Sequence, residues 1–162
     1  MAENERPNIF DPEWQRSVDE GHFGMRGQQL GRPAGANEIG ATLYEVDPGK
    51  RNLPYHAHHG IEETIVVIQG TPTIRTPDGE TELTEGDVHC FGKGSGSAHQ
   101  VINNTDTPVR FMMLSSQSSA DFAEYPDGSK IAVFSGVWGT DDAFQKMLSS
   151  ENEVGYFDGE LG

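Results

Sequence analysis

Between Pro54 and Gly70 the chain reads PYHAHHGIEETIVVIQG, and no other segment restricts the fold as much. His56 and His58 stand two residues apart, the carboxylates Glu62 and Glu63 follow, and a β-branched run ends at a glycine. β-Branched side chains lose rotamer freedom in a helix and pack well on a pleated sheet, so the run reads as a strand. Strand side chains alternate between faces, so an extended segment projects His56 and His58 from the same side. Two imidazoles on one face with a carboxylate in reach are donors suited to a first-row transition metal. A His-x-His pair alone is weak evidence, since most strand histidines are hydrogen bonded or exposed. Further along, His99 in the alternating segment HQVIN offers a third imidazole. Glu62 and Glu63 compete for the carboxylate role, and His59 reads as a loop residue at the strand end.

The rest of the chain has the same short, punctuated texture. Twenty glycines and nine prolines break it into brief segments, as expected of an all-β fold with many turns. His22 to Leu30 reads as an early strand. IGATLYEVDPG is a strand ended by Pro48 and Gly49, with Thr42, Tyr44 and Val46 on one face and Leu43 and Glu45 on the other. Glu45 is expected in solvent, which puts Tyr44 in the interior. Asp78-Gly79 between two alternating segments signals a hairpin. DVHCF, HQVIN and PVRFMMLSS continue the series, and FMML is apolar on both faces. At the ends, Asp11 and Pro12 suggest the start of a short helix. DDAFQKMLSS, with Asp141 or Asp142 at its start, reads as a short amphipathic helix with Phe144, Met147 and Leu148 inward. ENEVGYFDGELG is an acidic tail, loosely ordered or docked against a partner subunit. The expected organisation is one domain: residues 1–38 as an N-terminal arm with the first strand or strands, 39–118 as a barrel core, and 119–162 as C-terminal strands, helix and tail. A chain of 162 residues buries roughly two-thirds of its unfolded surface.

At this point the motifs resemble those of the cupin superfamily. The first cupin motif is a glycine, a spacer, His-x-His, a glutamate and a second glycine. Gly49, His56-Ala57-His58, Glu63 and Gly70 follow it, with a lead spacer one residue longer than usual. The second motif is matched by Gly86, Gly94, His99 and Asn103, with Gly92 where proline is expected and two extra residues before His99. The resemblance runs from about Tyr44 to Ser116. It implies a double-stranded β-helix (a cupin, or jelly-roll, barrel), assembled as a homodimer. It also implies that His56, His58, Glu63 and His99 are the ligands of one divalent metal per chain. The spacing to Gly70 selects Glu63 over Glu62.

Three neutral imidazoles and one carboxylate leave a divalent ion with a net charge of +1. In six-coordinate geometry two positions stay open, unlike a closed structural zinc site. Such a centre suits Lewis-acid or oxygen-activating chemistry, so the implied activities are those of a dioxygenase or an isomerase. The alternative is a non-catalytic metal or small-molecule sensor. With no thiolate ligand, Fe or Mn rank first, followed by Ni, Zn, Cu and Co. Alternation from the ligand positions makes Tyr44, Ile65, Val67, Val101, Met112 and Leu114 the expected pocket walls. A one-residue slip would reverse every one of them. An apolar pocket with few polar groups favours a small, partly hydrophobic organic ligand.

Charge narrows the partners. A net charge of −15 repels phosphate backbones and offers no basic patch to anionic lipid, so neither nucleic acid nor membrane is expected. No apolar run approaches a membrane span and no signal-like N-terminus is seen, which points to the cytoplasm. Cys90 is the single cysteine, which excludes an intrachain disulfide, and is read as a core thiol.

Overall fold

Alternation and punctuation produce strands almost throughout the computed structural model, which describes residues 6–136 and 143–160. In chain order they are β1 (Arg16–Glu20), β2 (Phe23–Gln29), β3 (Ile39–Val46), β4 (Ala57–His58), β5 (Glu63–Gln69), β6 (Thr73–Thr76) and β7 (Gly79–Glu82). Then come β8 (Val88–Phe91), β9 (Gln100–Ile102), β10 (Val109–Ser116), β11 (Ala120–Tyr125), β12 (Lys130–Ser135) and β13 (Phe144–Ser149). Among the described residues the only helical pieces are two short 3-10 turns, Ser95–Ser97 and Pro126–Gly128. No helix among them is long and apolar enough to cross a membrane.

The strands pair antiparallel in three sheets, ordered β1-β2-β3-β10-β5-β8, β7-β6-β9 and β13-β12-β11-β4. In the six-stranded sheet β10 runs between β3 and β5, with Phe111 opposite Tyr44 on one side and Val67 on the other. Its inward side chains Met25, Val46, Ile65, Val67, Val109, Phe111 and Met113 meet Ile74 and Val101 of the three-stranded sheet, with Leu83 and Phe91 completing the cluster. Each such side chain contributes about 1.5–3 kcal/mol by leaving water. Phe111 is fully buried at the centre.

Two motif glycines are there for backbone reasons. Gly49 (φ +71°) follows Pro48 in the turn after β3, and Gly70 (φ +78°) ends β5. A Cβ at Gly70 would also stand 3.1 Å from the Val109 side chain. Both positions lie in the left-handed region that L side chains seldom adopt.

The early strand and the hairpin form as expected. The hairpin turns over Pro77 and Asp78, with Gly79 already paired to Thr76. Four readings are corrected. Residues 144–149 form β13 and not a helix; the expected helix start at Asp141 or Asp142 lies outside the described residues. An isolated helix this short cannot repay nucleation, whereas six register positions against β12 satisfy the backbone. Phe144, Met147 and Leu148 are consequently not turned inward but stay about half exposed. No helix forms at Asp11 and Pro12. Instead the Gln15 N–H donates to the Gly27 carbonyl and its side-chain oxygen accepts from the Gln29 N–H, tying the arm to β2. Glu45 is buried, because Arg26 and Arg110 each donate to one of its carboxylate oxygens. The Trp14 ring lies 5.5 and 5.6 Å from these two guanidinium groups and covers the cluster. Cys90 is exposed: on β8 it takes the outer face while its neighbour Phe91 turns into the core.

Candidate metal centre

His56 and His99 face each other across an antiparallel bridge. The His56 N–H donates to the His99 carbonyl at 3.1 Å, and the His99 N–H donates to the His56 carbonyl at 2.8 Å. Residues opposed in this way send their side chains to the same side, so the backbone alone brings two imidazoles together. Their ring centroids are 4.8 Å apart. Ala57 turns away and is fully buried, which returns His58 to the ligand side, 5.0 Å from His56 between rings. Glu63 opens β5 and extends its carboxylate into this group.

The three Nε2 atoms all point at one oxygen. Glu63 Oε2 is 3.0 Å from His99 Nε2, 3.8 Å from His58 Nε2 and 3.9 Å from His56 Nε2. One donor atom each from His56, His58 and Glu63 falls within 4.8 Å of the others. The opposite nitrogens are all engaged. His56 Nδ1–H donates to the Pro54 carbonyl at 2.7 Å, and His99 Nδ1–H to the Ser97 carbonyl at 3.0 Å. His58 Nδ1–H donates to Asp121 Oδ2 at 2.5 Å. This tautomer leaves a lone pair on Nε2 of His56 and His58 directed toward the carboxylate, while His99 Nε2–H donates to Glu63 Oε2 at 3.0 Å, a bond that a cation among these donors would replace. The donor set thus fits a divalent metal, with Nδ1 partners of the kind that orient metal-bound histidines.

Electrostatics follow from burial and proximity. Burial, reinforced by His99, pushes the His56 imidazole down to about 4, so it is neutral at neutral pH, as a ligand must be. For His58, burial acts downward, but the Asp121 hydrogen bond and the Glu63 charge outweigh it and hold the pKa raised. Burial alone would raise Glu63 and Asp121. The hydrogen bond from His99 and the surrounding imidazoles lower Glu63, and the bonds from His58 and the Gly60 N–H lower Asp121. Aromatic rings fix the imidazole planes. Phe91 stacks on His99 at 3.8 Å and 7°, and Tyr125 on His56 at 5.8 Å and 18°.

Of the residues named from sequence, the structure brings His56, His58, Glu63 and His99 together. His59 turns away, stacking on Phe122 and approaching Glu124 at 3.1 Å. Tyr44 and Val101 line a cavity of about 20 Å³ beside the histidines. Ile65 and Val67 lie in the core cluster and do not line that cavity. Met112 and Leu114 occupy the outer face of β10, and Met113 lines the cavity in their place. FMML gives no polar residue to set its phase, so the sequence pattern slips by one. Asp121, Asn52, Gln100 and Tyr125 were not foreseen. Asn52 and Gln100 line the small cavity, and both sit beside motif residues. Asp121 carried no signal beyond being an acid in a strand-like segment. The motif residue Asn103 has a structural task. Fully buried, it donates to the carbonyls of Val46 and Thr107 and accepts from Thr105, closing the loop before β10.

Residues 42–115 match a family model described as the Cupin domain. An auxin-binding protein of Prunus persica is 35% identical over 92 residues, 52% of this chain and 43% of that protein. The chain therefore spans less than half the length of that curated relative. A sugar phosphate isomerase of the cupin superfamily from Silicibacter pomeroyi superposes with a TM-score of 0.72 at 22% identity, covering 88% of this chain and 90% of that one. A proposed sugar phosphate isomerase from Acidithiobacillus ferrooxidans gives 0.70 at 21% identity, with 81% and 80% covered. At such identities the likeness is one of fold, and the fold is the all-β jelly-roll barrel.

Proposed function

The chain carries a cupin-type domain, and from that premise we propose that it holds one divalent transition metal through His56, His58, Glu63 and His99 and presents it to a small organic molecule. The observation that carries this reading is the convergence of three Nε2 atoms on Glu63 Oε2 while every Nδ1 is held by an acceptor. Fe or Mn suits the donor set best, with Ni, Zn, Cu and Co as further candidates.

A bound metal would supply Lewis-acid polarisation or oxygen activation, the chemistry of isomerases and dioxygenases. The chain's own residues do the rest. Asp121 holds the proton on His58 Nδ1 and so keeps Nε2 free as a donor. Phe91 and Tyr125 cover the flanks of His99 and His56 and keep water from the ring faces. The Tyr44 hydroxyl has its pKa raised by burial and by Glu63, so it stays protonated and able to donate a hydrogen bond beside the centre.

A second reading, non-catalytic binding or sensing, is favoured by the curated relatives, which are named for binding a small organic molecule, auxin. A substrate panel with the metal-loaded protein separates the two. Turnover lost in His58→Ala supports the enzyme, whereas saturable binding without turnover supports the sensor. The same reading includes a cytoplasmic location and a homodimer. Met112, Val66 and Val88 form an apolar row across the outer face of β10, β5 and β8, suited to a second copy. A monomeric mass in light scattering would contradict the dimer.

A further inference from the structure

We infer that the organic molecule reaches the centre over His58 from the C-terminal strands, and that it has an uncharged, apolar body with an oxygen function, not a phosphoryl group. This rests on the metal-centre reading and adds the route and class of the ligand.

Volume decides the route. The cavity inside the barrel is about 20 Å³, room for one water-sized species. A second cavity of about 250 Å³, lined by His58 and Asp121, opens between the end of β10, β11 and the strands β12 and β13. It lies at the small end of ligand pockets, which run roughly 300–1,000 Å³. Of these two cavities, each lined by a candidate ligand histidine, the larger one admits an organic molecule without rearrangement of the core.

Its lining decides the class. Ile61, Phe134 and Phe144 give it apolar walls, and Ser116 and Gln117 add neutral hydrogen-bonding groups. Among the described residues Asp121 is its one carboxylate, and both oxygens are already engaged, by His58 Nδ1–H at 2.5 Å and the Gly60 N–H at 2.6 Å. Neither cavity is lined by lysine or arginine among the described residues. A phosphoryl dianion in the larger cavity would face Asp121 with no cationic side chain among the described lining residues to pair it, in a chain of net charge −15. An aromatic alcohol or ketone has no such penalty and can direct its oxygen toward His58. Phe134 and Phe144 lie beyond the stretch that matches the family model, residues 42–115.

The test uses full-length, metal-loaded protein with acetophenone and benzyl alcohol as neutral probes and glucose 6-phosphate as the charged one, followed by amide chemical shifts. The neutral probes should bind roughly tenfold or more tightly than glucose 6-phosphate. They should move the amides of Ile61, Ser116, Gln117 and Ser135. Ile61→Trp, which fills the cavity, should weaken acetophenone by roughly tenfold with metal content unchanged. Equal or tighter binding of glucose 6-phosphate overturns the inference. So do shifts confined to Asn52, Leu53 and Gln100 in the wild-type protein, or no shifts. If the protein takes up no metal but acetophenone still moves the predicted amides, the metal reading fails and the cavity assignment stands.

Discussion

The barrel centre and the C-terminal strands divide the molecule into a region that is over-determined and one that is lightly held. At the centre, Phe111, Ile65 and Val67 are almost wholly buried, and each imidazole is fixed by a hydrogen bond at Nδ1. In β13 every residue is exposed, and its one ladder is to β12. The two regions meet where β11 pairs with β4, and the bond from His58 to Asp121 ties a candidate ligand to the later strands. The common barrel supplies the donors, while the later strands set how one donor is held and what lies beside it. Precision is needed for the first task and latitude suffices for the second.

The largest test of this contrast is stability. Phe111→Ala should cost about 3–5 kcal/mol, as a truncation in a close-packed core. Phe144→Ala, on the exposed edge strand, should cost about 0.5 kcal/mol or less. Chemical denaturation of both variants measures the gap, and similar costs would mean that β13 is as integral as the barrel.

Metal affinity gives the next effect. His58→Ala should weaken binding by roughly a hundredfold or more, because a ligand of an N/O site is lost. His59→Ala should stay within about twofold, since that ring stacks on Phe122 away from the centre. Competition with a chelating dye reads both, and like behaviour of the two variants would break the assigned register.

Asp121→Asn should act more gently, lowering affinity by roughly tenfold through the orientation of His58 while leaving the ligands in place. Isotope-resolved imidazole spectra should show His58 losing its fixed Nδ1–H tautomer. An unchanged tautomer would make Asp121 a partner of Gly60 alone.

The smallest effect is in pH. His56 titrates near 4 in the folded metal-free protein against an ordinary value of 6.5. Between those values the unfolded chain takes up a proton that the folded one refuses, so this histidine makes stability fall as the pH drops from 6.5 toward 4. His58, with its raised value, acts in the opposite sense. His56→Gln should therefore flatten the acid loss of the metal-free protein, and an unaltered slope would mean that His56 is not buried as described.

Much of the centre was legible because alternation and a local bridge fix it. His56 and His58 share a face by strand periodicity, and Gly49 and Gly70 mark turns that need a positive φ. What escaped has a non-local or degenerate cause. Glu45 looks like a solvent residue until Arg26 and Arg110, distant in sequence, close on it. Asp121 reaches His58 across 63 positions. In FMML both faces are apolar, so nothing local separates Met112 from Met113. Phe144, Met147 and Leu148 have helical spacing, but backbone pairing to β12 outweighs so short a pattern.

The central claim is the metal, and elemental mass spectrometry of freshly purified, untagged protein tests it most directly, beside a His56→Ala/His99→Ala variant. The account predicts about one transition-metal ion per chain in the wild-type protein, lost in the variant. No metal in either protein after reconstitution, or equal metal in both, would contradict it.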